Sequence, residues 1–94
     1  MRVRWSLPAV DQLCAIRSYI AQDSPDAANR IAAKILSATD KLVQFPSIGR
    51  IGRIAGSREL IISGLPYIVS YRVLDEVIDV ASVIHTSRKW PGRI

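Results

Sequence analysis

The side chains best able to do chemistry in this 94-residue chain lie in its second half. Arg50, Arg53 and Arg58 follow one another through PSIGRIGRIAGSR, a stretch with no carboxylate, and Arg72 comes soon after. His85, the single histidine, opens the closing run HTSRKWPGRI, which adds Arg88, Lys89, Trp90 and Arg93. An imidazole titrates near neutrality and can serve as general acid or base, while guanidinium groups bind phosphate or carboxylate in a fixed fork. An indole either stacks on a base or seals a sheet edge, and Trp-Pro-Gly favours a turn that lays the ring back on the protein. Three readings stay open for this set: handling a phosphodiester, gripping an acidic protein, or forming no more than a solvated basic surface. A histidine at a strand end is also commonly a hydrogen-bonded structural residue.

Other chemistries are poorly provided for. The chain has no GxxxxGK[ST] loop, no GxGxxG after a strand, no GxSxG elbow and no HExxH pair. One histidine and one cysteine, Cys14, do not make the usual zinc ligand set, so no metal and no cofactor are expected. GRIGRIAG, residues 49 to 56, is Gly-rich but does not lead from a strand into a helix, the context in which backbone amides cradle phosphate. The carboxylates are scattered. Asp23 and Asp26 suit a helix start and Asp75 and Glu76 a turn, whereas Glu59 sits among basic residues. An ion pair from Glu59 to Arg58 or to a neighbouring strand is expected before general-base work.

Composition narrows the class further. Forty-nine per cent hydrophobic and 22% charged residues suffice for one core and do not describe a disordered chain, so residues 1 to 94 are read as a single domain. A formal net charge of +5 predicts attraction to nucleic acid, an acidic protein or an anionic membrane surface, without choosing among them. A lone cysteine and the absence of a signal-like or membrane-spanning apolar run lead us to expect a cytoplasmic protein without a membrane partner.

The elements that must position these groups follow from periodicity. Residues 2 to 5 alternate like a half-buried strand; Ser6 caps a helix over about 7 to 22, with Val10, Leu13, Ile16, Arg17 and Ile20 on one face. Asp23-Ser24-Pro25-Asp26 starts a second helix, with Asp23 among the capping side chains; Ala28, Ile31, Ile35, Ala38, Leu42 and Phe45 face the core until Pro46 ends it. The short link predicts a helical hairpin. After an irregular loop over 46 to 57 come strands over 58 to 63, 67 to 74 and 77 to 85, joined by hairpin-length turns. The fold class is α+β, ordered β-αα-βββ, a helical hairpin on a small antiparallel sheet. Arg72 is expected on the opposite sheet face from Tyr71.

In that order and spacing, LVQFPSIGRIGR, RELIISGLPYIVSYRV and the closing H-x-x-R-x-W resemble the RelE/ParE superfamily of toxins from type II toxin-antitoxin modules, also called plasmid stabilisation proteins. The resemblance spans nearly the whole chain. It implies a growth inhibitor held in a hetero-oligomer by a cognate acidic antitoxin. In ribosome-dependent mRNA endonucleases of this superfamily, Arg, Lys, His and Tyr or Glu around the sheet act on the 2′-hydroxyl and the phosphate. The ParE-type relatives instead poison DNA gyrase. Residue by residue, His85 and Arg88 fall where the nucleases place catalytic groups, and Arg50, Arg53, Arg58, Arg72, Lys89 and Trp90 become contacts for substrate or target. The nucleases also carry an Arg just ahead of x-V-Y in the middle strand, where this chain reads Tyr67-Ile68-Val69-Ser70-Tyr71. That departure turns the expectation towards a gyrase inhibitor, with the mRNA endonuclease, or a degenerate toxin that only binds antitoxin, as alternatives.

Overall fold

Strand β1 (Arg2–Trp5) leads through Ser6 into helix α1 (Leu7–Ala21). Ser6 is extended and its Oγ accepts the Ala9 N–H at 3.1 Å, with Pro8 in the first turn where its missing N–H costs nothing. Helix α2 (Pro25–Asp40) begins in the same way, but the capping side chain is Ser24, whose Oγ accepts the Ala27 N–H, and not Asp23. A computed structural model describes residues 1–87, so Arg88, Lys89, Trp90 and Arg93 lie outside the described residues.

Helix α2 also stops short of Pro46. Its last turn gives way to a 3-10 turn over Lys41–Val43, where the Gln44 and Phe45 N–H groups both donate to the Lys41 carbonyl. The tighter winding keeps Leu42 fully buried but turns Phe45 outward, so Phe45 does not extend the apolar face as its spacing suggested. The two helices form the expected hairpin, tied at the surface by Arg17, which donates to Asn29 Oδ1 at 2.8 and 3.1 Å.

The remaining strands are β2 (Arg50–Ile51), β3 (Arg58–Ile61), β4 (Tyr67–Leu74) and β5 (Val77–His85). The sheet order is β1-β5-β4-β3-β2. The fold is thus α+β as expected, with two differences in the sheet. It is mixed, because β1 runs parallel to β5, a pairing open to it because the helical hairpin supplies the crossover. It also has a fifth strand, β2, inside the segment read as loop. Asp75 takes φ 52 in the two-residue β4–β5 turn, a left-handed conformation that a short Asp tolerates.

The helices cover one face of the sheet. Ala9, Ile35, Leu42, Ile62, Tyr67, Val69, Tyr71, Ile78, Val80 and Val83 form the buried cluster between the layers, with Leu13, Ile16 and Ile31 against it. Strand β1 spans only half of β5, and α1 serves the rest of that edge. Ser6 Oγ donates to the Ala81 carbonyl, and the Gln12 side-chain oxygen accepts the Val83 N–H at 2.7 Å. Ala81 itself is the extra residue of a bulge, since Ser70 opposes Ser82 while Tyr71 opposes Val80.

Candidate functional site

Strand alternation assigns each candidate to a face. Val69 and Tyr71 point to the helices, so Ser70 and Arg72 point outward, and register carries that assignment across the sheet. On the outer face Arg50, Glu59, Ser70 and Ser82 make one row, and Arg72, Asp79 and Arg4 make another. Ile61, Ile68 and Ile84 make an apolar third.

Glu59 anchors the first row. Its side chain is 2% exposed, yet one oxygen accepts two bonds from Arg50, at 2.8 and 3.1 Å, and the other accepts the Arg53 N–H at 3.0 Å with the Arg53 guanidinium 3.6 Å away. Burial alone would raise this carboxyl. The bond from the Arg53 amide, the bond from Arg50 and the two positive charges outweigh burial and hold it below the ordinary glutamate value. Glu59 is therefore an ionised clasp that fastens residues 50 to 53 to β3, and the outer halves of Arg50 and Arg53 stay in solvent.

Arg58 faces the other way. It pairs with Tyr71 in register, and its guanidinium donates to the carbonyls of Ser47 and Gly49 at 3.2 and 2.7 Å. The buried Tyr71 hydroxyl accepts the Gly49 N–H and donates to the Pro46 carbonyl. Burial pushes the Tyr71 phenol up, against the opposing pull of the Gly49 N–H and the Arg58 charge. Together these two residues hold the 46–49 turn from below while Glu59 holds the next residues from above.

His85 is also on the helix-facing side, paired with Tyr67 and meeting its ring edge-on with centroids 5.4 Å apart. Its Nδ1 accepts the Ser87 N–H at 3.1 Å and lies 2.7 Å from the Ser87 hydroxyl. A backbone amide only donates, so in the neutral ring the proton sits on Nε2.

The sequence candidates thus divide. Arg50, Arg53 and Arg72 share the outer face; Arg58 and His85 lie on the helix-facing side, and their partners on β4 are four residues, about 13 Å, apart. Arg88, Lys89 and Trp90 lie outside the described residues. Sequence reasoning did not single out Arg4, Ser70 or Asp79 as neighbours of Arg72, or Gly49 and Tyr71 as the support of the loop. Among the described residues no group of three or more His, Cys, Asp or Glu side chains could hold a metal ion, and no helix is long and apolar enough to cross a membrane.

Known proteins resemble this chain in sequence and in fold. A family model described as the ParE toxin of the type II toxin-antitoxin system parDE matches residues 3–90. The proposed toxin Y4kP of Sinorhizobium fredii is 43% identical over 90 residues, covering 96% of this chain and 93% of its own. Toxin RelE2 of Caulobacter vibrioides is 38% identical over 87 residues, covering 93% and 97%. In solved structures, a chain of the chromosomal ParDE TA system from P. aeruginosa superposes with a TM-score of 0.83 at 23% identity, over 93% of this chain and 97% of that one; this likeness is one of fold.

Proposed function

This chain belongs to the ParE toxin family, and on that premise we propose that it poisons DNA gyrase by binding it rather than by cutting RNA. It is a toxin of a type II toxin-antitoxin system. The finer reading is that a cognate acidic antitoxin neutralises it in a cytoplasmic hetero-oligomer, and that Arg50, Arg53, Arg72, Lys89 and Trp90 contact the target.

The observation that carries this reading is the opposition of Arg72 and His85. A nuclease working through His85 needs its cations on the same phosphodiester, within hydrogen-bond reach. Here Arg72 is on the outer face, His85 is on the inner one with Nδ1 engaged by Ser87, and Arg58 is committed to loop carbonyls. The outer face offers a paired, shielded carboxylate and the exposed Ile61, which suit protein contact.

Toxin freed of antitoxin is added to a gyrase supercoiling assay and to a translating extract. Inhibited supercoiling with intact mRNA is the expected result. Codon-spaced mRNA cuts that vanish in His85→Ala would replace this reading with the endonuclease, to which the RelE2 relative and the Arg88 position lend support. Silence in both assays would leave a toxin that only binds its antitoxin.

A further inference from the structure

On the outer face, which also carries the exposed Arg2 at its edge, two sets of side chains each place a carboxylate between two arginines. Arg50 and Arg53 surround Glu59, and Arg4 and Arg72 flank Asp79. In the first set both arginines reach the carboxylate. In the second only Arg4 does, at 3.3 Å, and Arg72 makes no ion pair or hydrogen bond to another described residue. Its side chain borders an open pocket of about 170 Å³ whose other walls are Ile54, Ser57, Ser70, Asp79 and Ala81. The recess has a cause in the chain: three of these walls are Ser or Ala, and the bulge at Ala81 pushes β5 out of step with β4 at that point.

We propose that this recess receives the carboxylate of one Asp or Glu side chain from the antitoxin, with Arg72 as counter-ion and the Ser70 hydroxyl as a second donor. The proposal rests on the chain's being a toxin with a protein antitoxin, and not on which target it poisons. A nucleic-acid strand would need a track of cations for successive phosphates. Arg72 instead has Asp79 beside it in its own row, the anionic Glu59 in the next, and then the apolar row of Ile61, Ile68 and Ile84. A guanidinium without an ion pair among the described residues, at the rim of a recess walled by Ser57, Ser70, Ala81 and Ile54, fits one acidic side chain of a protein segment.

Affinity for the cognate antitoxin, taken from the adjoining reading frame, is measured by calorimetry for wild type, Arg72→Gln, Arg72→Lys and Arg30→Gln. Arg30 is an exposed arginine of α2, so its replacement removes the same unit of charge far from the recess. The expected result is a Kd weakened about tenfold or more by Arg72→Gln, partly recovered in Arg72→Lys, and changed less than about twofold by Arg30→Gln. Matching thermal midpoints separate lost contact from lost fold, and should Arg72→Gln not fold, the Arg72→Lys affinity decides alone. Equal weakening by Arg72→Gln and Arg30→Gln would reduce the effect to overall charge and overturn the site. Unchanged antitoxin affinity would overturn it too: if growth inhibition is then lost, the recess serves the target alone, and if binding to a single-stranded RNA oligonucleotide is lost, it serves nucleic acid.

Discussion

Tyr71, on the central strand, holds the N–H of Gly49 at 2.9 Å from its hydroxyl, so a core side chain fixes the entry to β2, which carries Arg50 and leads to Arg53. The same hydroxyl donates to Pro46 at 2.7 Å. Tyr71→Phe leaves an amide and a carbonyl without their partner and should cost about 1 to 3 kcal/mol in chemical denaturation. A Cβ at position 49 would stand 2.7 Å from the Tyr71 ring and hydroxyl, so Gly49→Ala should cost a similar amount. The double variant should lose less than the sum, because both changes break one bond.

Glu59 predicts an acid limit. Its carboxyl is held below the ordinary glutamate value in the folded chain. A depressed value means stabilisation that is present above the ordinary glutamate value and lost as pH falls through the folded one. Urea midpoints should therefore fall below about pH 4.5, and those of Glu59→Gln should fall less. At neutral pH that variant should be less stable than wild type by about 1.5 to 3 kcal/mol, since it loses charge-assisted bonds while both arginines keep access to water.

Removing His85 should spare toxicity. If the chain acts by contact, His85→Ala loses the Tyr67 edge contact and the Ser87 bonds but retains growth arrest when expressed without antitoxin. Loss of arrest with an unchanged thermal midpoint would count against the contact reading.

The two helix starts give a local test of capping. Ser24→Ala should destabilise by about 1 kcal/mol, because the Ala27 amide loses its acceptor, whereas Asp23→Ala should change the thermal midpoint little.

Much of the fold was legible in the chain. The β4 and β5 boundaries follow from β-branched runs broken by Asp75-Glu76, and Ser6-Leu7-Pro8 marks the first helix start. Strand β2 was not legible, since two residues between glycines have no period to detect. Glu59 was read as an ion-pair partner of Arg58 or of a neighbouring strand. The neighbouring strand supplies it through Arg50, because adjacent residues of a strand point to opposite faces and Arg58 faces away. The division of the arginines between two faces depends on register, which no single segment encodes. Arg4 and Asp79 meet only because the first strand lies parallel to the last.

That parallel pairing also sets a clock on synthesis. Strand β1 is made first and its partner β5 last among the described strands, with Arg2 opposite Val77, some 75 residues later. At about 5 to 20 residues per second, the ribosome takes roughly 4 to 15 s to cover that interval. During this time the first strand is without its neighbour, and Asp79, which Arg4 will bind, has not been made. Each newborn molecule is thus an unfinished weapon until its final strand emerges.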